Sequence, residues 1–582
     1  MTGGFHSPIT TTRGVPPARR RRLWSLLGLS ALALAAGTGR AAAADASCTG
    51  PDGKVVSPYD NYACLDAYLG DDVMTRLYNY YKLEWGQAGP PSDPNAPPGR
   101  RDGWPATPQT TPPMPFTEWP YGGTTPLGVT RTGSADSPLM VAIANTDVGK
   151  WMNDRGFQIY GWVDPGFNVS SNTTRPGGNA PMAYIYTPNT IQLDQLVVYL
   201  DRFPDTVQTD HIDWGLRLSA IYGENYRYTT SYGLASYQLL KDNKVNGYDF
   251  PMLYGELFVP QIGEGLMLRL GRYISLPDIE AQLGPNNYMY THSMTYTFDN
   301  YTNEGLQATL AVTKNFFVQA GVSAGTEAAL WHDWATEPNL YPIVTNPNSI
   351  YFGKQNPLFP GTTYKKDPGA MPSWTLCARY TWNDGNDNIQ PCANAINDGT
   401  WGYNNLQWWG GTFYHKFNDQ WHLSTEAYYM YEKNVPNARN PEVTGMPGGG
   451  IWDNGGTPFS PQYIPFNAPS LAQCHSTTVL TCRSESIGTV AYLNYSPDPL
   501  NNFSFRPEWY DDMEGQRTGT RANYVNFGLG WQHWLSPQLE FRPELDWDRS
   551  LGAKAFNGNS NAGIPNTRNY AVVGAMDVLF HF

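Results

Sequence analysis

The sequence predicts an all-β protein, a transmembrane antiparallel β-barrel of 16 strands with 14 as the alternative, and three observations carry this prediction. Runs of alternating polarity recur from residue 157 to the last residue. Very short and very long connections alternate between these runs. An export signal precedes them all. A soluble sandwich strand shows the same alternation, so the connections decide between the two fold classes.

Residues 1–44 are typical of a cleaved signal peptide. The stretch ARRRRLW is basic, residues 25–37 form a short apolar core, and small residues at 42–44 suit a cleavage site. The apolar core is well short of the ~20 residues that a membrane-spanning helix needs. We therefore expect an exported protein in the bacterial outer membrane, with the segment that follows the signal in the periplasm.

Composition agrees with an exported barrel. Cleavage removes six arginines and no acid, which leaves 32 basic against 51 acidic side chains, a net charge of −19. This charge argues against nucleic acid as a partner. The chain is 14% aromatic and only 15% charged, and it holds 58 glycines, which favours strands joined by turns. Beyond the signal, no apolar run approaches ~18 residues.

The six cysteines form three pairs of near neighbours in the sequence, which predicts local disulfides in an oxidising compartment. The alternative, a metal site, lacks a CxxC pattern and a histidine cluster. We expect no metal and no cofactor. The predicted pairs are Cys48 with Cys64, Cys377 with Cys392, and Cys474 with Cys482.

Residues 45–118 precede the barrel. They hold the first cysteine pair, a predicted short helix in DDVMTRLYNYYKLEW, and part of a linker with eleven prolines between Pro90 and Pro120. Such a linker is best read as extended chain. The barrel domain is predicted over 119–582, with its first strand near 157.

The runs and their connections define the barrel. The cleanest run, HIDWGLRLSAIYG, places six apolar or small residues on one face. Short turns are predicted around Lys314 and Asn418 and at 496–502 and 536–538, whereas loops such as 326–372 and 434–484 are very long. Short turns on one side and long loops on the other are typical of outer-membrane barrels. The doubtful hairpin that carries Cys377 and Cys392 decides between 16 strands and 14.

Two strands contain an internal repeat, FSFRPEWY at 503–510 and LEFRPELDWD at 539–548. Their charged faces need water or partners, and a water-filled lumen is the predicted source of both. Pro507 and Pro543 each remove a ladder donor, so we expect bulges there.

The last strand alternates up to its final aromatic residue. Phe580 and Phe582 close its apolar face, and we expect them to act as the assembly signal that the barrel assembly machinery reads.

Several stretches resemble the β-barrel porins of the OmpL-like type. They are WPYGG, GWVDPGFNVSSN, LGRYISLPDIEAQLGPNNY, YNNLQ, YHKFN and RPEWYDD followed by GQRTGT. The resemblance extends from about Trp119 to Phe582. It implies an outer-membrane barrel and no catalytic residues.

The leading functional prediction is a passive channel for small hydrophilic solutes or ions, modestly cation-preferring and embedded in outer-membrane lipid, with a homo-oligomer left open. The alternatives are a barrel-based enzyme of the lipase or protease type, for which GVSAG at 321–325 is the only motif, and a surface adhesion or structural barrel. The predicted pore-lining residues are Asp213, Arg217, Arg269, Arg379, Glu426, Arg506, Glu508, Glu540, Arg542, Glu544, Asp546 and Asp577.

Overall fold

The computed structural model describes residues 48–85 and 137–582, apart from residues 52, 275–277, 300–301, 356–370, 402–404, 445–470, 499, 559–563 and parts of 230–243 and 331–348. The predicted signal peptide, the Pro-rich linker and the WPYGG stretch lie outside the described residues.

The described residues form a closed antiparallel barrel of 16 strands with one extra short strand. Each of the 16 wall strands pairs with the next wall strand in sequence, and the first (Phe157–Ser170) pairs with the last (Tyr570–His581) to close the barrel. The extra strand (Gly247–Asp249) pairs with the end of the strand Asp213–Gly223, beyond the residues that pair with Leu253–Val259. The strands are β1 (Phe157–Ser170), β2 (Ile191–Arg202), β3 (Asp213–Gly223), β4 (Gly247–Asp249), β5 (Leu253–Val259), β6 (Leu266–Ile274), β7 (Thr302–Ala311), β8 (Phe316–Thr326), β9 (Ser373–Trp382), β10 (Asp387–Ile396), β11 (Gln407–Lys416), β12 (Trp421–Pro436), β13 (Thr481–Asp498), β14 (Asn501–Asp512), β15 (Ala522–Ser536), β16 (Leu539–Ser550) and β17 (Tyr570–His581).

The hairpin that carries Cys377 and Cys392 spans the barrel wall, which confirms 16 strands. The two cysteines are direct partners across β9 and β10, and a short turn at Asn383–Gly385 joins the strands. The structure contains the three predicted disulfides, here and at Cys48–Cys64 and Cys474–Cys482.

The barrel wall is polar inside and apolar outside. On β14, Ser504 and Arg506 are buried, whereas Phe503 and Phe505 are 45% and 39% exposed on the outer face. Outward aromatic rings form a row near the short-turn end, for example Phe503 stacked on Trp531 with ring centroids 6.1 Å apart. An apolar outer band bordered by aromatic rings is the surface that lipid requires.

The prediction of bulges at Pro507 and Pro543 was wrong. The β13–β14 register is the same on both sides of Pro507, and the β16–β17 register passes through Pro543 without a shift. Each proline simply lacks the donor for one ladder bond, so a pairing gap suffices. A register shift does occur beside another proline, Pro165 in β1.

The described residues also contain short helices, and none of these is long and apolar enough to cross a membrane. The predicted N-terminal helix is α2. The helices are α1 (Leu65–Leu69), α2 (Val73–Trp85), α3 (Pro138–Ile143), α4 (Asp147–Asp154), α5 (Tyr226–Thr229), α6 (Met294–Thr297) and α7 (Pro441–Thr444).

Helix α2 lies against the short-turn end of the last strand. The ring of Tyr81 stacks on Phe580 at 5.2 Å, and its hydroxyl donates to the carbonyl of His581 over 3.0 Å. Phe582 then pairs with Gly161 of β1 through two backbone hydrogen bonds of 2.9 and 3.0 Å. A Cβ on Gly161 would lie 2.7 Å from the Phe582 ring, so glycine is needed where the barrel closes.

Candidate functional site

The segment that connects β6 to β7 folds into the barrel instead of outward. Residues 278–299, here called the inner loop, are buried throughout. The inner loop includes a turn of 3₁₀ helix at Gly284–Asn286 and helix α6, which Ser293 caps by accepting from the amide of Tyr296 over 3.0 Å. A buried loop must find partners for its backbone groups, and the barrel wall supplies them.

The internal repeat contains FRPE at 505–508 and again at 541–544, and we call it the FRPE repeat. Its first half holds the C-terminal part of the inner loop. Arg506 on β14 donates to the carbonyl of Thr291 over 2.6 Å. Two residues along the strand, Glu508 accepts from the amides of Met294 and Thr295 over 3.0 and 2.5 Å. One strand face therefore satisfies both a carbonyl and the first amides of helix α6.

The second half of the repeat does the same for the preceding stretch. Arg542 on β16 donates to the carbonyls of Gly284 and Asn287 over 2.5 and 2.9 Å. Glu544 accepts from the amide of Tyr290 over 3.0 Å. In both copies, the arginine binds loop carbonyls and the glutamate binds loop amides, so the repeat is a pair of equivalent anchors.

Strand β15 lies between the two anchoring strands and leaves room for the loop. Its residues Gly528 and Gly530 face Met289, which is fully buried. A Cβ on Gly530 would lie 2.6 Å from Cγ of Met289, and one on Gly528 would lie 2.8 Å from its Cε. Glycine is required here because the loop approaches the wall so closely.

Carboxylates neutralise the anchoring arginines. Arg506 forms ion pairs with Asp546 at 2.9 Å and with Glu280 of the inner loop at 3.5 Å. Arg542 forms one with Asp577. All of these side chains are buried, so the pairs are shielded from bulk water.

Contacts on β2 fix the middle of the inner loop. The hydroxyl of Tyr290 donates to Asp194 of β2 over 2.7 Å. The neighbouring Gln195 donates to the carbonyl of Gln282 and accepts from the amide of Gly284, over 3.0 and 3.1 Å. The inner loop is therefore held along one arc of the wall, from β2 through the closing seam to β16 and β14.

A different arrangement follows the wall from β9 to β12. Gln390, Thr412 and Glu426 are direct ladder partners on β10, β11 and β12. Arg379 on β9 lies at the same level, because the pairs Cys377–Cys392 and Tyr380–Ile389 bracket it in a constant register. We call these four residues the polar row.

Each member of the polar row is buried yet has at least one side-chain atom without a hydrogen-bond partner among the described residues. These atoms are Nε and Nη1 of Arg379, Oε1 of Gln390, Oγ1 of Thr412 and Oε1 of Glu426. The next ladder position, Val490 on β13, is apolar and packs with Ile279 and Met289 of the inner loop. The part of the wall that packs against the inner loop, here called the anchored wall, comprises β13 to β16 and thus begins beside the polar row.

Three carboxylates meet at one end of the polar row. Asp278 and Asp299, from the two ends of the inner loop, approach Glu426, and one oxygen from each lies within 4.8 Å of the others. Burial is the first cause that raises the pKa of Asp278, to about 8, and that of Asp299 well above its ordinary value. Among the described residues, this is the one group of side chains with the spacing of a metal site.

The model of one protein family, described as "Putative beta-barrel porin-2, OmpL-like", matches residues 156–582. The chain belongs to this family. Membership confirms the resemblance seen in the sequence, identifies the fold as a porin-like barrel and implies the bacterial outer membrane.

Solved structures also resemble this porin-like barrel, at low identity. The channel DcaP of Acinetobacter baumannii is 8% identical, covering 73% of this chain and 97% of that one, with a TM-score of 0.39. An anion-selective porin from Comamonas acidovorans is 9% identical over 73% and 99% of the two chains, also at 0.39. The trimer form of OmpT from Vibrio cholerae is 8% identical over 73% and 99%, at 0.37. No curated protein sequence matches the chain.

The predicted pore-lining residues of this porin-like barrel all lie on strands with their side chains buried. Five of them, on β14 and β16, form hydrogen bonds with the inner loop: Arg506, Glu508, Arg542, Glu544 and Asp546. Arg379 and Glu426 belong to the polar row.

The remaining candidates form pairs within the wall. Arg217 pairs with Asp201 at 3.1 Å and Arg269 with Glu256 at 2.6 Å, while Asp213 pairs with Arg202 at 3.0 Å. Asp577 pairs with Arg542, and Glu540 accepts from Gln532 over 2.7 Å.

The GVSAG motif lies within β8, where Ser323 pairs with Gly305 and Ser373 on the neighbouring strands. A nucleophile elbow needs a sharp strand-to-helix turn, and Ser323 is followed by three more strand residues. In this strand context, the motif does not indicate a nucleophilic serine.

Sequence reasoning missed the inner loop. Residues 278–299 contain no lysine or arginine and are rich in tyrosine and methionine, which is unusual for a loop in water. That composition, together with the paired FRPE motifs, was the available signal.

Proposed function

We propose that this porin-like barrel is a passive channel for small hydrophilic solutes, and that solutes pass between the inner loop and the polar row. The supporting observation is the set of buried polar atoms on β9–β12 that have no hydrogen-bond partner among the described residues. Buried polar groups are normally hydrogen-bonded, and water is the usual partner where protein supplies none. A hydrated strip along one wall is a path for solutes that can exchange hydrogen bonds with water.

We further propose a modest preference for cations. Carboxylates at the Glu426 end of the polar row attract cations, as does the net charge of −19 predicted for the mature chain. Arg379 at the other end opposes them and keeps the preference small. The FRPE charges contribute little to the field because they are paired and bonded to the inner loop.

The proposed orientation places the short turns, helix α2 and the remaining N-terminal segment in the periplasm, and the long loops outside the cell. Phe580 and Phe582 are proposed to serve the barrel assembly machinery, which agrees with their position at the closing seam.

A substituted-cysteine experiment tests the path. All six native cysteines are in disulfides, so one new cysteine supplies a single free thiol. Purified Thr412→Cys in a planar bilayer should show stable ohmic steps that a small charged methanethiosulfonate reagent reduces, because the polar row is wet.

Val490→Cys is the matched control, since it lies two ladder positions away behind Ile279 and Met289. It should keep its conductance under the same reagent. Protein that inserts but never conducts would refute the channel. An equal loss of conductance in Thr412→Cys and Val490→Cys would mean that solutes do not follow the polar row. If the reagent closes the conductance in several equal steps, the protein is a homo-oligomer.

A further inference from the structure

We propose that Asp278, Asp299 and Glu426 bind a divalent cation, Ca²⁺, which fastens both ends of the inner loop to the barrel wall. The three side chains come from separate places in the chain, two from the loop and one from β12. The spacing of their oxygens, within 4.8 Å of one another, suits a shared ion. Ligands at the usual Ca²⁺ distance of about 2.3–2.6 Å lie at most about twice that distance apart.

Unpartnered oxygens point to a missing ligand. Asp299 is fully buried, and neither of its carboxylate oxygens accepts from a hydrogen-bond donor among the described residues. The same holds for Oδ1 of Asp278 and Oε1 of Glu426. The second oxygen of Glu426 accepts from the amide of Ile279 over 3.0 Å, which holds the carboxylate in place. The cluster therefore has four buried oxygens without a donor among the described residues, and one oxygen from each of its three side chains meets the others.

The charge at this point also needs to be neutralised. Among the described residues, no lysine, arginine or histidine forms an ion pair with any of the three carboxylates. Isolated buried carboxylates are very costly unless a proton or a bound cation neutralises them. Arg517 lies close to the group, but it donates to the carbonyls of Phe298 and Asp299.

The ligand set favours Ca²⁺ over other metals. All three groups are carboxylates, and no thiolate or imidazole belongs to the cluster. Hard oxygen ligands suit Ca²⁺ and Mg²⁺, whereas zinc and copper sites use nitrogen and sulfur. Mg²⁺ needs near-ideal octahedral geometry and keeps its waters, so a crowded buried carboxylate group fits Ca²⁺ better.

A bound ion would link the two ends of the inner loop to each other and to β12. Asp278 begins the described part of the inner loop and Asp299 ends it, so one ion would hold both ends at β12. If the proposed channel function holds, Ca²⁺ would also keep the loop in its constricting position and lower the conductance.

Calorimetry with the metal alone tests the site. Purified full-length protein, freed of metal with a chelator and kept in detergent, should bind one Ca²⁺ per chain and bind Mg²⁺ more weakly. Asp299→Asn should weaken Ca²⁺ binding at least about 10-fold, the lower end of what even indirect supporting residues cost a metal site. Asp548→Asn is the matched control, since Asp548 is also a buried carboxylate on the lumen side but outside the cluster.

Glu426→Gln is a second variant in case Asp299→Asn fails to fold, with the heat-modifiable gel mobility of a barrel as the folding check. Absence of Ca²⁺ binding by the folded wild-type protein overturns the site, whether or not the protein conducts. Unchanged binding in both folded variants also overturns it. Binding without any conductance supports the site and refutes the channel instead.

Discussion

The two walls that face the inner loop handle polar side chains in opposite ways. On β14 and β16, Arg506, Glu508, Arg542 and Glu544 bind the loop backbone through charge-assisted hydrogen bonds. On β9 to β12, the polar row keeps donors and acceptors that no group in the described part of the chain satisfies. Both walls are polar inside, yet one serves as an attachment surface, whereas on the other the polar row bonds to the inner loop through Glu426 and is proposed to be hydrated.

This difference shows that a charged inward face need not line a pore. The repeat that most resembles a charged pore wall in the sequence is the part most fully occupied by protein. The polar row, in which every member has an unpartnered side-chain atom among the described residues, is less conspicuous: one arginine, a glutamine, a threonine and a glutamate on four successive strands.

Breaking an anchor should give the largest effect. Arg506→Met removes the hydrogen bond to Thr291 and leaves Asp546 and Glu280 without this partner. Losing one partner of a buried ion pair costs about 3–5 kcal/mol of stability. We expect a lower midpoint of unfolding and a single-channel conductance several-fold above that of the wild type, because the inner loop loosens.

Arg269→Met is the control for that experiment. Arg269 is also buried and paired, but with Glu256 on the adjacent strand. It should lower stability by a similar amount and leave the conductance close to that of the wild type. Equal conductance changes in both variants would show that general loosening of the barrel, rather than release of the loop, opens the path.

The fold was readable from the sequence because its signals are local. Alternation along HIDWGLRLSAIYG, short turns and paired cysteines each depend on neighbouring residues, and they correctly predicted strands, hairpins and disulfides. The strand number depended on one hairpin that the sequence could not place. The bulges at Pro507 and Pro543 were predicted wrongly because a missing donor can be tolerated as a pairing gap.

The candidate site was less readable because it depends on long-range contacts. Glu544 and Tyr290 are 254 residues apart in the chain, and Arg506 and Thr291 are 215 apart. Polarity shows that a side chain faces inward, but it does not distinguish water from a folded loop as its partner. The composition of residues 278–299, without lysine or arginine and rich in tyrosine and methionine, was together with the paired FRPE motifs the available hint that this connection is buried.

A smaller effect is expected where the loop touches the anchored wall without charge. Gly530→Val places carbon atoms where Met289 lies, and overpacking of this kind costs about 1–3 kcal/mol. Met289→Ala in the same chain should recover much of that loss, since it vacates the space. Thermal unfolding of the two single variants and the double variant measures the coupling. Strictly additive losses would contradict the proposed contact.

The smallest effect is expected from Thr412→Val, which tests whether the polar row is hydrated. Thr412→Val replaces a hydroxyl that has no protein partner with a methyl group of the same size. If the row is hydrated, as proposed, stability should change by less than about 0.5 kcal/mol, because water already satisfied the hydroxyl. Thr309→Val is the matched substitution on β7, where the hydroxyl accepts from Gln319 over 3.1 Å, and it should cost about 1 kcal/mol. Replacing an unsatisfied hydroxyl in a dry interior relieves a penalty of about 1–3 kcal/mol. A clear gain in stability from Thr412→Val would therefore mean that the row is dry, and solutes could not pass along it.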